Sequence, residues 1–367
     1  MGKIGVGIIG IQPDRSWGAI AHIPALRELP DSYDIVAVST RSEESARAAA
    51  EHYGVPQHFS SAEALCACED VDLVAVTVKV PAHRALVSAA LAAGKHVYCE
   101  WPLGNGLDEA IDMARRAKEA GVVAACGMQA RFAPEIAYVR DLVADGYVGE
   151  VLSSAVVGTG GVWGSAVPPA DAYTADIRNG ATMLTIPVGH TLDGIVSALG
   201  EVVAVSATLA NRRHEQMVIG EDRMVPLTAP DQVLVHATLE NGAPLAIHYR
   251  GGTTPGTGFL WEINGTAGTL QLRAQTGHAQ LVGLTLSGAT GEEDVLQKLE
   301  VPEHYHAGRI LPNLVGNIYR MYRSLAGDIA TGSRNSPTFD DAVTRHRVLA
   351  AIETSAADGA RTVQVDR

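Results

Sequence analysis

The sequence is poor in cysteine, in aromatic residues and in positive charge. Its 367 residues include 4 cysteines, and Phe, Trp and Tyr together make up 5% of the chain. The cysteines, Cys66, Cys68, Cys99 and Cys126, have neither a disulfide nor a zinc spacing, and few cysteines in a long chain favour a reducing compartment. We therefore expect a cytoplasmic protein.

Two further absences argue against whole classes of partner. The formal net charge is -13, from 28 Lys and Arg against 41 Asp and Glu, whereas a protein that binds nucleic acid needs a concentrated positive field. No apolar run is long enough to span a bilayer. We expect no nucleic acid and no membrane among the partners.

The first third of the chain alternates between apolar runs and helical patterns. Residues 4–10 form a continuous apolar run, and residues 71–78 form another buried strand, as in central parallel strands that are buried on both faces. Helical patterns at 42–53, 84–93 and 108–120 separate such strands. We predict an α/β fold, with an N-terminal Rossmann domain built on a doubly wound parallel sheet over residues 1–128.

The rest of the chain is dominated by strands. Asn241-Gly242 is a two-residue hairpin turn, and two helical patterns follow at 313–330 and 340–357. We predict a C-terminal α+β domain, residues 129–367, with a large and mostly antiparallel open sheet. Its predicted strands are 152–157, 202–209, 232–239, 245–250, 259–264, 269–274 and 362–365.

A glycine-containing loop follows the first strand. Gly10 and Gly18 occupy the first and last positions of a Rossmann fingerprint, but the loop between them is longer and lacks the middle glycine. Backbone N–H groups at the start of the following helix still suit a pyrophosphate. We predict that Gly10, Gln12, Trp17 and Gly18 bind a dinucleotide.

The end of the second strand bears on the choice of dinucleotide. A carboxylate here would bind the adenosine ribose of NAD, but the chain has Ser39-Thr40-Arg41-Ser42 instead. Hydroxyls with an arginine suit a 2′-phosphate. We predict NADP as the cofactor, with contacts from Thr40 and Arg41. NAD remains an alternative, in which Arg41 is a solvated residue near a helix start.

One stretch organises the nucleotide domain. After Gly94, residues 97–100 read as a short buried strand that ends at Glu100, and Pro102 forces the chain out of the sheet. The Trp101–Pro102 bond is a candidate for the cis form. Parallel sheets bind ligands at the carboxyl ends of their strands, so we place Glu100 and Trp101 in the site.

The pattern A-G-K-H-V-x-x-E-x-P-L in this stretch resembles the glucose–fructose oxidoreductase, inositol dehydrogenase and MocA family (Gfo/Idh/MocA). His22-Ile23-Pro24-Ala25-Leu26 and His83 also resemble its motifs. The resemblance implies an NAD(P)-dependent oxidoreductase that acts on a sugar or cyclitol hydroxyl or ketone, with His83 near the cofactor. Lys79 follows the strand 71–78 at the ligand edge of the sheet, where it is either a cofactor contact or a surface lysine. The family has Glu-Lys-Pro where this chain has Trp101 in place of the lysine.

The resemblance also places a site in the second domain. The family's catalytic helix carries an acid and a histidine four residues apart, and His190 and Asp193 are in register here, whereas Ile186 stands at the position of the acid. It implies His190 and Asp193 as catalytic residues, with His190 as the proton acceptor. The predicted substrate-binding residues are Trp101, Gln129, Trp163, Tyr173, Arg178 and His190.

The departures at Trp101 and Ile186 keep a second interpretation open. They resemble the branch of the family that contains the galactose/lactose metabolism repressor of yeasts, a branch regarded as non-catalytic and dinucleotide-binding. We favour an oxidoreductase with a carbohydrate-like substrate, and keep a non-catalytic regulator as the alternative. We expect no metal site, because His304 and His306 lack a third spaced ligand. An open sheet needs its outer face covered, which predicts a homodimer or homotetramer through the C-terminal sheet.

Overall fold

The computed structural model describes residues 2–291 and 293–366, and these fold into two compact units. The first unit extends to Met128 and also includes Leu314–Val343. The second contains Gln129–Asn313 and the segment from Thr344 onward. In the described part of the chain, no helix is long and apolar enough to cross a membrane.

Nine α-helices can be followed through the described residues, and several begin or end at the residues that helix capping requires. Ser42, for example, caps the second helix by accepting a hydrogen bond from Ser45 N, and Gly54 ends it with a φ of 65°. The helices are α1 Ile23–Arg27, α2 Glu43–Tyr53, α3 Ala62–Cys66, α4 His83–Ala92, α5 Leu107–Ala120, α6 Pro134–Ala144, α7 Gly189–Leu199, α8 Asn313–Thr331 and α9 Phe339–Ala357.

The central strands of the first unit, Ile4–Ile9 and Leu73–Val76, are apolar and almost entirely buried. In the second unit, Gln232–Leu239 alternates, since every other residue is buried along it. The strands are β1 Ile4–Ile9, β2 Tyr33–Ser39, β3 Gln57–Phe59, β4 Leu73–Val76, β5 His96–Glu100, β6 Ala124–Gly127, β7 Val151–Gly160, β8 Ala166–Val167, β9 Val202–Ala210, β10 Glu215–Val218, β11 Met224–Pro226, β12 Gln232–Leu239, β13 Pro244–Gly251, β14 Phe259–Gly265, β15 Gly268–Ala274, β16 Thr285–Thr290, β17 Gln297–Lys298 and β18 Val363–Gln364.

The first unit is built on a six-stranded sheet with the order β3-β2-β1-β4-β5-β6. All of its strand pairs are parallel. This order is that of a doubly wound dinucleotide-binding sheet, so the predicted Rossmann fold is confirmed. The order reverses between β1 and β4, which places the crevice for a ligand at the carboxyl ends of these two strands.

Residues of α8 complete the core of the first unit. Tyr322 is completely buried, its ring stacks on Tyr98 of β5 at 5.0 Å, and its carbonyl accepts a hydrogen bond from Tyr33 of β2. The single division after residue 128 that the sequence suggested therefore needs correction for the segment Leu314–Val343. The amphipathic pattern of α8 shows that one face is buried, but it does not reveal which sheet covers that face.

The second unit is built on a nine-stranded sheet with the order β17-β16-β15-β14-β7-β13-β12-β9-β18. Only β7 and β13 pair in parallel, so the predicted mostly antiparallel sheet is confirmed. A separate sheet with the order β11-β10-β8 was not predicted, and neither were β16 and β17. These elements are short or polar, and their patterns resemble those of loops.

Candidate functional site

Gly10 and Gly18 form a close-packed glycine cradle beside the carboxyl ends of β1 and β4. Gly10 has a φ of +101°, and a Cβ there would clash with Val78 Cγ1. A Cβ on Gly18 would lie 2.5 Å from Thr77 Oγ1 and 2.6 Å from Ile11 Cδ1. Both positions need glycine, because the loop and the following helix approach the sheet too closely for any side chain. This cradle fits a dinucleotide pyrophosphate.

The lengthened loop between these glycines is held by its own serine. Ser16 Oγ accepts a hydrogen bond from Gln12 N at 2.9 Å, and Gln12 itself is exposed. Trp17 is partly buried, and its Nε1 is a buried donor for which the described residues provide no acceptor. Such a donor needs an acceptor. The loop therefore offers a hydrogen-bond donor to a polar ligand, although it lacks the middle glycine of the fingerprint.

Thr40, Arg41 and Ser42 follow β2 at the same edge of the sheet. Thr40 Oγ1 donates to the Ser42 carbonyl at 3.0 Å, and Arg41 is exposed. No carboxylate stands among these residues. The arrangement leaves a cation and hydroxyls at the position where a Rossmann fold binds the adenosine ribose.

His83 and Lys79 come after β4. His83 is buried, with Nδ1 2.9 Å from the Pro102 carbonyl and Nε2 3.0 Å from the Val78 carbonyl. Burial lowers the pKa of this imidazole, against the raising effect of the carbonyls. His83 therefore ties the end of β4 to the turn after β5, which is a structural role, while Lys79 is exposed at the edge.

Glu100 and His22 form a buried hydrogen-bonded pair at the end of β5. Glu100 Oε1 is 2.9 Å from His22 Nε2, and His22 Nδ1 is 2.8 Å from the hydroxyl of Tyr322. The edge of the Trp17 ring also faces His22, at 6.3 Å between centroids. The loop after β1, the end of β5 and α8 thus meet at one imidazole.

The turn after Glu100 has the conformation that the sequence predicted. The Trp101–Pro102 bond is cis, and the Trp101 indole is 5% exposed. It lies at the carboxyl end of β5, next to Glu100. An apolar ring therefore occupies the position at which the family carries a lysine.

In the second unit, α7 carries His190 and follows a π-helical turn, Leu184–Val188. Pro187 has no N–H to continue the regular α-helical ladder, so the turn widens before α7 begins. His190 is 4% exposed at the start of α7. Ile186 lies in the π turn, so the regular four-residue spacing of the family does not hold across this segment.

Asp193 is completely buried and lies in a cluster of charges. Arg131 donates from Nε to Asp193 Oδ2 at 2.8 Å and from Nη2 to Oδ1. Arg345 of α9 places its Nε 3.7 Å from Asp193 Oδ1, and its Nη2 donates to Glu201 at 2.6 Å. This bidentate pairing fits a residue that anchors α7.

The structure places the other predicted substrate residues in different surroundings. Gln129 is 2% exposed. Trp163 is buried, stacks on His278 at 6.3 Å, and donates from Nε1 to the Thr174 carbonyl. Tyr173 is partly exposed, and burial raises the pKa of its phenol to about 12. The Arg178 side chain is 85% exposed and pairs with a neighbouring aspartate.

Sequence reasoning did not find four functional candidates: Tyr322, Arg131, Arg345 and His278. Tyr322 is 300 residues from its partner His22, so no local pattern could link them. Arg131 lies three residues after the predicted division of the domains at residue 128, and this position was the available signal. The group of three or more metal-binding side chains that a metal site needs is absent from the described residues.

Comparisons with known proteins agree with this architecture. Residues 4–128 match the model of the oxidoreductase family with an NAD-binding Rossmann fold, Gfo/Idh/MocA. Residues 134–274 match the model of the C-terminal domain of Gal80p. The first unit is therefore an NAD-binding Rossmann domain of oxidoreductase type.

Individual relatives are of two kinds. The galactose/lactose metabolism regulatory protein GAL80 of Saccharomyces cerevisiae is 28% identical over 88% of this chain and 82% of its own. The dehydrogenase aclE of Aspergillus oryzae is 29% identical over 97% of both chains. A crystal structure of a super-repressor mutant of Gal80p from S. cerevisiae superposes with a TM-score of 0.91, at 26% identity over 99% of this chain and 98% of that one.

The first unit thus resembles the Gfo/Idh/MocA oxidoreductases, and the second unit resembles the C-terminal domain of Gal80p. The relatives of the chain include both dehydrogenases and regulatory proteins.

Proposed function

We propose that the protein is an NADP-dependent oxidoreductase that transfers hydride to or from a hydroxyl or ketone of a sugar or cyclitol. The observation that carries the proposal is the buried His190 at the start of α7, in a chain whose first unit has the glycine cradle of a dinucleotide-binding domain. A nicotinamide cofactor supplies the hydride chemistry, and the protein contributes binding, orientation and proton transfer.

The residues around the cradle would hold the dinucleotide. Gly10 and Gly18 allow the backbone to approach the pyrophosphate, and the unpartnered Trp17 Nε1 offers a further donor. Thr40 and Arg41 suit the 2′-phosphate of NADP, since a guanidinium pairs with phosphate through two N–H groups. Lys79 is exposed at the same edge and would add a second cation.

His190 would exchange the proton of the substrate hydroxyl. In the oxidative direction the alcohol loses its O–H proton to the imidazole while its C–H hydrogen leaves as hydride, which yields a ketone. Asp193 is engaged by Arg131 through both oxygens, so its proposed part is to hold α7 in place. Trp101, at the position of the family lysine, would provide an apolar wall and no stabilising charge.

A carbohydrate-like substrate is proposed from the family and from the relative that regulates galactose and lactose metabolism. Gln129 and Tyr173 have polar groups that suit sugar hydroxyls. Trp163 and Arg178 are weaker candidates in this structure, because one is buried against His278 and the other is exposed beside its partner Asp176.

A non-catalytic regulator that binds a dinucleotide is the second candidate. Two observations favour it: residues 134–274 match the C-terminal domain of Gal80p, and Trp101 replaces the lysine that would stabilise a developing alkoxide. Losing such a charge removes several kcal/mol of transition-state stabilisation. Positioning by itself still supports hydride transfer, which is why the enzyme remains our first proposal.

A panel of sugars, cyclitols and their ketones, assayed with NADP and NAD in both directions, separates the two candidates. An oxidoreductase should change the nicotinamide absorbance with at least one substrate. His190→Asn should then lower kcat about a hundredfold or more with little change in nucleotide affinity. A wild type that binds the nucleotide but is silent across the panel favours the regulator, and turnover unaffected by the mutation removes His190 from the mechanism.

We also propose a cytoplasmic homo-oligomer joined through the nine-stranded sheet. Large side chains such as Leu152 and Leu234 are 53% and 38% exposed on strands of that sheet, and an uncovered sheet face favours a second copy. The four free cysteines suit a reducing compartment. Light scattering of the purified chain should give twice or four times the monomer mass, and Leu152→Glu with Leu234→Glu should give the monomer.

A further inference from the structure

Glu100, His22 and Tyr322 form a hydrogen-bonded relay inside the first unit. Glu100 Oε1 lies 2.9 Å from His22 Nε2, and His22 Nδ1 lies 2.8 Å from the Tyr322 hydroxyl. Glu100 is 8% exposed, and both His22 and Tyr322 are completely buried. They come from β5, from the helical segment after the glycine loop, and from α8.

The hydrogen-bond chemistry of the relay leaves a negative charge on Glu100. Burial raises the pKa of Tyr322 well above its usual value, and Tyr33 and Glu100 raise it further, so its hydroxyl keeps its proton. All three groups are satisfied when Tyr322 donates to Nδ1 and the Nε2–H of a neutral His22 donates to the carboxylate. His22 then stabilises the carboxylate without adding a positive charge that would cancel it.

The position of Glu100 in the sheet indicates which half of a bound dinucleotide its charge would face. The adenosine half of a Rossmann ligand lies toward β2, whose end carries the ribose-binding residue, and the other half lies across the reversal of strand order, toward β4 and β5. Glu100 is the last residue of β5, paired in register with Gly127 of β6. The nicotinamide half therefore approaches the edge of the sheet at which β5 ends with Glu100.

The oxidised nicotinamide ring carries a positive charge, whereas the reduced ring is neutral. A carboxylate that is shielded from water attracts the oxidised form more strongly than the reduced one, because screening is weak at a buried site. We propose that the Glu100 carboxylate, hydrogen-bonded to His22 in this relay, makes this site select the oxidised cofactor over the reduced one. The inference rests on the proposed function only in requiring that a nicotinamide dinucleotide binds, and it holds for an enzyme and for a regulator.

The test compares dissociation constants of NADP⁺ and NADPH for the full chain by calorimetry. In the wild type NADP⁺ should bind more tightly than NADPH. Glu100→Gln removes the charge and keeps the shape, so it should lower the ratio of NADP⁺ affinity to NADPH affinity about tenfold, mainly through weaker NADP⁺ binding. Tyr322→Phe leaves the charge in place and should keep most of the ratio.

Glu119→Gln is the matched control, since it removes the same charge from the exposed surface of α5 and should leave the ratio unchanged. Glu100→Met replaces the carboxylate by an apolar side chain of similar size, and serves if the amide variant does not fold. Tighter or equal binding of NADPH by the wild type overturns the proposal, and so does a ratio unmoved by loss of the Glu100 charge. If neither nucleotide binds to the wild type, the proposed function fails and this inference fails with it.

Discussion

Arg131 donates hydrogen bonds to both carboxylate oxygens of Asp193, three residues after His190 on α7. Asp193 is completely buried, and Arg345 of α9 lies 3.7 Å from its Oδ1. The segment that carries His190 is thus fixed to the rest of the second unit by charges from two other parts of the chain, at Arg131 and Arg345.

Asp193→Asn should destabilise the second unit. The replacement leaves the guanidinium groups of Arg131 and Arg345 without their shared anion, and breaking a buried pair in this way costs about 3 kcal/mol of the free energy of unfolding. Urea denaturation measures the loss. Asp176→Asn, which removes the partner of the exposed Arg178, is the control and should leave the free energy of unfolding unchanged. Equal curves for the two variants would show that Asp193 does not anchor α7.

Gly18→Ala should weaken dinucleotide binding about tenfold. The added Cβ meets Thr77 Oγ1 at 2.5 Å and Ile11 Cδ1 at 2.6 Å, so the helix must move away from the sheet. Gly327→Ala on α8 is the matched control, because a Cβ there meets nothing within 4 Å. This control should bind the nucleotide normally and be more stable by about 0.5 kcal/mol. Calorimetric titration with NADP and NAD measures both effects.

Arg41→Ala should reduce the affinity for NADP and leave that for NAD nearly unchanged. A hydrogen bond from a charged group to the 2′-phosphate accounts for about tenfold to a hundredfold in affinity. Arg47→Ala, an exposed arginine on α2, controls for the loss of a positive charge nearby. An equal effect of Arg41→Ala on both nucleotides would contradict the assignment of the phosphate site.

Acid should destabilise the protein through its buried histidines. Burial lowers the pKa of His346 and of His278 to about 4, below the ordinary value of about 6.5. The unfolded chain therefore binds more protons in this interval, and stability falls as the pH drops from about 6.5 toward 4. His346 should account for about 2 kcal/mol between pH 7 and pH 5.

Denaturation curves at several pH values test this dependence. His346→Gln should flatten the decline in the free energy of unfolding relative to the wild type, because the glutamine has no proton to take up on unfolding. A variant whose stability falls in parallel with the wild type would contradict the role of His346.

Most of the first unit could be predicted from the sequence, because the patterns that indicate its strands and turns involve neighbouring residues. The apolar run of β1, the glycines at 10 and 18 and the cis bond before Pro102 each depend on a few neighbouring residues. Most strands of the large sheet were also found, since alternation such as that of β12 is a local pattern.

The interactions between distant segments of the chain could not be predicted from the sequence. Nothing in the sequence around Tyr322 indicates that it contacts His22, and the pairing of Arg345 with Glu201 spans 144 residues. The site in the second unit shows a further difficulty, because the family register predicted a helix around His190, where α7 lies, but did not anticipate the π turn at Pro187. Such local departures follow from packing, which a one-dimensional pattern does not contain.

The return of α8 to the first unit has a consequence for synthesis on the ribosome. Leu314–Val343 is translated after the whole segment Gln129–Asn313, and Tyr322 fills a place beside His22 and Tyr98 that stays open until then. On the ribosome, the core of the first unit therefore stays incomplete until most of the second unit has been synthesised. Premature termination anywhere before residue 314 leaves apolar surface uncovered on the emerging chain, where holdase chaperones would bind it.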